Sequence, residues 1–381
     1  MKKIYWRPSK VPRIILVVIA CLAIGGMGAV EVFKTKNKQP FYKEKMKASR
    51  IMKKGIDVLR ESRIKKVGPI DREADPSNSG LIGLPESSIT SKFGHLPSKQ
   101  TSANPNWAGV MVDMLKKAKV REGDTIAAAF SGSFPAINLA VYSAAEALSL
   151  DVVAVTSITA SSWGANAPQF NWLDMESVLY KKKIISNRSV AASLGGYEDK
   201  GFIRSKKKRQ ILHEGINRNK LPLLEFESIK ESIDARLELY AHHSKGKSPG
   251  AYINVGGGII SVGSLRGKAL YRPGLNLKHS SSALGVDSVM TRFALEGVPV
   301  IHMVRINDLA DQYGLPQSPA IMPSVGEGDI FIRAQYNLYL TGTVLLVLLL
   351  LLYFLLKLDI GYRIFGGSHM PETTKHPEPM V

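Results

Sequence analysis

Cysteine is almost absent: Cys21 is the single one in 381 residues. That excludes a disulfide framework and any metal site built on thiolates. Acidic residues are scarce beside basic ones, 32 Asp/Glu against 51 Lys/Arg, for a formal net charge of +19. Signature motifs are missing too. There is no G-x-G-x-x-G, no G-x-S-x-G around Ser133 and no complete G-x-x-x-x-G-K-[ST]. The nearest approach to a phosphate loop, Gly263-Ser264-Leu265-Arg266-Gly267-Lys268-Ala269, is one residue short and lacks the hydroxyl. ATP- and NAD-dependent chemistry is therefore poorly supported, and neither cofactor nor metal is expected.

The excess of positive charge is local. Residues 1–66 hold eighteen Lys/Arg against Glu31, Glu44, Asp57 and Glu61, which leaves only five of the nineteen net charges for the rest. A basic arm of this kind suits a membrane surface or a polyanion and says nothing about fold. A second basic run, Arg204 with Lys206, Lys207, Lys208 and Arg209, is either a solvated helix face or a contact for an acidic polymer. It has no interleaved aromatics, which argues against nucleic acid.

Two apolar runs predict membrane spans. Residues 14–33 follow a basic tail (residues 1–13), and residues 338–356 carry no charge and have aromatics at both ends. Val18-Ile19-Ala20-Cys21 loosely fits a bacterial lipid-attachment site. The expected chain is thus a two-span protein of the bacterial inner membrane, with the lipid bilayer as a partner and the body extracytoplasmic. Residues 34–66 read as a basic amphipathic juxtamembrane helix, or equally as a stalk packing one face on the body. Residues 67–105 read as a connecting segment, 106–335 as the body, and 357–381 as a short tail rich in Pro and Gly.

The body is organised around residues 123–168. An apolar run ending at Phe130 precedes the small loop 131–135, then a helical pattern to Leu148 with Pro135 at its first turn, then a β-branched run from Asp151. That is a βαβ unit with parallel strands. Further strands are expected near residues 189–194, 251–255 and 299–304. The fold class is α/β, a Rossmann-like, mostly parallel sheet with helices on both faces.

Four strands end in small-residue loops: Ser131-Gly132-Ser133, then Ser161, Ser162, Gly164 and Asn166, then Gly195-Gly196, and last Gly256-Gly257-Gly258. Ligands of open α/β sheets bind beyond the carboxyl ends of the strands, where glycine lets backbone approach them. Tight turns use the same residues for no functional reason. Ser133 has the placement of a nucleophile, with His302 or His279 as base and Asp308 or Asp311 as orienter. Against this, serine before a helix is more often a cap, and histidine in an apolar strand more often a core residue.

Several stretches together resemble a bacterial membrane protein family, the poly-gamma-glutamate system proteins associated with capsule synthesis. They are SSITSKFGHLPSKQTSANPN (87–106), GDTIAAAFSGSFPAINLAV (123–141), SSWGANAP (161–168), WLDME (172–176), SLGG (193–196) and NVGGG (254–258). The resemblance implies an accessory component in making or exporting poly-γ-glutamate, with that polymer and the membrane subunits of its synthase as partners. It carries over no catalytic residue. Two functions follow as expectations: a non-catalytic component that binds the polyanion or the synthase, or a γ-glutamyl hydrolase or transferase using Ser133.

Overall fold

The computed structural model describes residues 13–202 and 205–357. The chain divides into two compact units, Met1–Asn37 with Ala334–Val381, and Lys38–Arg333.

The larger unit is α/β, built on a seven-stranded mixed sheet. Its strands are β1 (Thr125–Ser131), β2 (Asp151–Ser157), β3 (Ser189–Ser193), β4 (Leu223–Leu224), β5 (Tyr252–Val255), β6 (Gly274–Asn276) and β7 (Val300–Met303). They lie in the order β4-β3-β2-β1-β5-β7-β6. All neighbours are parallel except β6, which pairs antiparallel with β7 at one edge.

Parallel strands bury both faces, and the side chains divide with the two-residue period of a strand. Ile126, Ala128 and Phe130 of β1 join Val152 and Ala154 of β2 in one core. Ala127, Ala129, Val153 and Val155 join another on the opposite face. The first core is closed by helices Tyr42–Val67, Trp107–Lys117, Pro135–Leu148 and Trp172–Lys181, the second by Ile229–His243 and Val289–Leu295.

Local chemistry sets several helix starts. Pro135 opens its helix at the first turn. Asn171 and Asp174 form a reciprocal capping box, as do Ser228 and Glu231. Helix Tyr42–Val67 buries Ala48, Met52, Ile56 and Leu59, three to four residues apart, against the core. Gly55 sits on that face because a Cβ there would lie 2.9 Å from a methyl of Leu139. The helix anticipated as juxtamembrane thus lays its apolar stripe on the α/β body.

The membrane expectations need correction. Residues 14–33 and 338–356 do form helices, Arg13–Val32 and Leu338–Lys357. Among the described residues, however, no helix is long and apolar enough to cross a membrane. A span takes about 20 consecutive, mostly apolar residues. Arg13 opens the first helix and Glu31 lies in its last turn, and Lys357 ends the second. Flanking transmembrane helices and the two-span inner-membrane placement are therefore overturned. The two helices instead pack on each other, with Val344 against Gly26. Beside them Glu31 is ion-paired with Lys34 and accepts a hydrogen bond from Tyr336 at 3.2 Å.

One ion pair is sealed inside the larger unit. Lys45 Nζ lies 2.8 Å from Asp113 Oδ1, and both side chains are buried. Removing one partner of such a pair leaves an uncompensated charge, whereas replacing both with apolar groups does not. Asp113 also pairs with Lys117 at 2.6 Å, whereas Lys45 has no second carboxylate, so Asp113→Leu is expected to lower unfolding stability by about 3 kcal/mol or more, and Lys45→Met with Asp113→Leu to recover much of it. Urea unfolding of the three proteins measures this; equal losses in both variants would contradict it.

Candidate functional site

β1 is the point where the chain changes direction. From it the chain builds β2, β3 and β4 outward on one side, and only later β5 and β7 on the other. The connections after β1 and β5 therefore diverge, and a crevice opens beyond their carboxyl ends. A cleft of about 630 Å³ lies there, within the usual range for small-ligand sites.

The cleft floor is a row of hydroxyls. Ser131, Ser157 and Ser193 close β1, β2 and β3 and are register partners, Ser131 with Ser157 and Ser157 with Ser193. All three line the cleft, as do Thr159, Asn254 and Ser261. Gly256, at φ +90°, passes so close that a Cβ would sit 3.3 Å from Ser131 Cβ, so only glycine fits without strain.

One wall is the turn after β3. Gly195, Gly196, Glu198, Asp199 and Gly201 all have positive φ. Such backbone persists only when its surroundings over-determine it. Here Asp199 does so: its carboxylate accepts from Ser193 Oγ at 2.8 Å and Gly195 N at 3.1 Å, and pairs with Arg236 at 2.6 Å. Arg236 is buried and also donates to Ser232, so its charge is spent inside the wall. Glu198 forms no ion pair among the described residues.

Two lysines have no such partner. Lys92 lines the cleft, and Lys268 lies over Gly257, its Nζ 3.2 Å from where a Cβ would stand. Neither forms an ion pair among the described residues. Burial, and then the nearby Lys92, lower the proton affinity of Lys268. Lys99 is buried behind them, donating to the Ser133 carbonyl and, at 2.9 Å, to Ser161 Oγ, with its ammonium over the Phe134 ring. Burial, with Lys92 adding repulsion, brings its pKa down to about 7.

The anticipated loop residues separate into two groups. Ser131, Gly195, Gly196, Gly257 and Gly258 line the cleft. Gly132, Ser133, Ser161, Ser162, Gly164 and Asn166 instead knit neighbouring loops together. Ser161 N donates to Ser133 Oγ at 3.0 Å, and Ser162 N to the Lys92 carbonyl at 3.0 Å. A Cβ on Gly164 would meet the Gly132 carbonyl at 2.8 Å. The Asn166 amide binds both backbone groups of Leu84 and the Thr90 hydroxyl.

Ser133, His302 and Asp308 are not brought together. The Ser133 hydroxyl has Ser161 N as its partner, and among the described residues no histidine or carboxylate hydrogen-bonds it. His302 is fully buried on β7 opposite Asn254, whose Nδ2 donates to its Nδ1 at 2.9 Å. Asp308 pairs with Arg305, and Asp311 accepts from Gln317 at 2.6 Å. His279 stacks obliquely on Tyr271, 5.5 Å between ring centres. Of the basic run, Arg204 lies outside the described residues. Lys206 and Lys207 are exposed on helix Lys206–Arg218, Lys208 covers the Phe202 ring and Arg209 pairs with Glu225. Among the described residues no cluster of His, Cys, Asp and Glu could hold a metal.

Lys92, Glu198, Asp199, Arg236, Asn254 and Lys268 escaped the sequence reading. Ser157 carried a legible signal, since it ends its strand as Ser131 and Ser193 end theirs.

His302 Nε2 makes no hydrogen bond of good geometry. Burial pushes the ring pKa down to about 4, with the Lys268 charge adding to the push and the Lys268 backbone opposing it. The folded ring thus binds a proton more weakly than the unfolded one. Its stabilising contribution is complete above about pH 6.5 and is lost as pH falls toward about 4. Between pH 7.5 and 4.5, wild type is expected to lose about 2–3 kcal/mol more than His302→Gln. Denaturant unfolding at the two pH values checks this, and identical losses would count against a buried neutral ring.

No family model, curated protein or solved structure matches this chain, so no relative stands beside the resemblance in its motifs.

Proposed function

We propose that the cleft binds a carboxylate-rich anion, and that the protein is a non-catalytic accessory component of poly-γ-glutamate synthesis or export, acting on the polymer itself. The observation that carries this is two lysines without an ion-pair partner among the described residues, Lys92 in the lining of a cleft that a row of serines also lines and Lys268 over its Gly257. Cations without a carboxylate partner in a polar cleft suit an oxyanion, since a hydrogen bond to a charged group is worth about 1.5–3 kcal/mol. Exposed Lys206 and Lys207 offer a second, weaker contact along a long polyanion. The synthase subunits remain the natural partners of a component in this role.

The alternative, hydrolysis or transfer at γ-glutamyl bonds through Ser133, finds no support in the geometry. A nucleophile needs a base within hydrogen-bond reach, and among the described residues the Ser133 hydroxyl has only a backbone N–H as partner.

The test is equilibrium binding of fluorescent poly-γ-glutamate to the full-length protein, with polymer length followed in the same samples. Lys92→Met and Lys268→Met are each expected to weaken binding about tenfold or more and to flatten its salt dependence. Lys206→Gln with Lys207→Gln should cost less, and polymer length should stay constant. Unchanged affinity in both cleft variants, or shortening of the polymer, would overturn the proposal.

A further inference from the structure

A cleft made only for a polyanion has no use for an unpaired acid in its wall, because like charges repel. Glu198 is such an acid. It lines the cleft opposite in kind to Lys92 and, unlike its neighbour Asp199, has no cation to neutralise it among the described residues. Its backbone is held at φ 48° by a turn that the Asp199 carboxylate ties to Ser193, Gly195 and Arg236. The fold thus spends one carboxylate to fix the turn and leaves the next one free at the cavity.

Tyr197, also on this wall, is 70% exposed. An acid beside an open aromatic face is a recognition pair for an ammonium group, through charge and through the ring quadrupole. The cleft lining therefore carries a cation and hydroxyls together with an anion and an aromatic ring. The ligand with the complementary pattern carries carboxylate and ammonium together.

We infer that the cleft selects the free amino end of a γ-linked glutamyl chain, with Lys92 and Lys268 taking carboxylates and Glu198 with Tyr197 taking the α-ammonium. This rests on the anion reading of the same cleft. Internal γ-glutamyl units offer a carboxylate and a neutral amide, so they satisfy the lysines but leave Glu198 facing negative charge. Only the terminal unit supplies an ammonium beside its α-carboxylate. A site with this preference holds a chain by its end, the arrangement suited to threading a polymer rather than coating it.

The experiment compares γ-linked triglutamate carrying a free amino end with the same peptide N-acetylated, by titration calorimetry on the full-length protein. Wild type is expected to bind the free-amino peptide about tenfold tighter. Glu198→Gln should remove that difference, weakening the free-amino peptide and relieving the repulsion of the acetylated one, Glu198→Asp should restore part of it, and Lys92→Met should weaken both peptides. Equal wild-type affinities would overturn end selection and leave the anion reading intact. Binding of neither peptide would overturn both. A preference that survives in Glu198→Gln would also overturn the assignment, since it would place the ammonium elsewhere.

Discussion

The strand Thr125–Ser131 constrains everything around it. It is buried on both faces, so helices must cover it from both sides, and a chain that crosses over in one hand can do this only by building outward in two directions from a central strand. The crevice between its carboxyl end and that of Tyr252–Val255 is a consequence of that topology rather than an added feature. The three serines that close consecutive strands fall into line because parallel register puts equivalent residues side by side. Packing needs on the faces therefore place polar groups at the edge.

Charge is handled in three different ways within this one unit. Lys45 is fully buried and paired with Asp113, and Arg236 is buried and paired with Asp199, so each serves the architecture. Lys99 is buried without a carboxylate; burial lowers its proton affinity, and two oxygens and an aromatic ring take the place of a counter-ion. Lys92 and Lys268 have neither arrangement. Lys92 lies in the lining of the cleft and Lys268 over its Gly257, so these two charges are not spent on holding neighbouring segments together as those of Lys45 and Arg236 are.

The central βαβ unit was legible because its signals are local: a short apolar run, a small loop, Pro135 at the first helical turn and a β-branched run. The serine and glycine loops were legible as a class but not by role. Ser131 and Gly257 reach the cleft, while Asn166 binds Leu84, which no short-range pattern announces. Lys92 and Lys268 are far apart in sequence and meet only through the sheet, and a lysine followed by no hydroxyl gave little reason to keep the near-miss phosphate loop in view. His302 in an apolar strand did behave as the commoner reading of such a residue suggests, tied to Asn254 across the sheet. The two terminal apolar runs show the opposite limit: hydropathy alone read spans into them, and the described helices fall short of one.

The turn after β3 shows how the two kinds of residue depend on each other. Left-handed backbone at a non-glycine residue costs of order 1 kcal/mol or more, and here Glu198 and Asp199 adopt it in succession. Glycine at 195, 196 and 201 lowers the cost on either side, and a Cβ at Gly195 would lie 2.3 Å from the Thr159 hydroxyl, so the approach also needs the smallest residue. The remaining cost is offset by Asp199 and its charged partner Arg236, both in the cleft wall. The conformation holds Glu198 and Tyr197 in the lining of the cleft, together with Ser131, Ser157, Ser193 and Lys92.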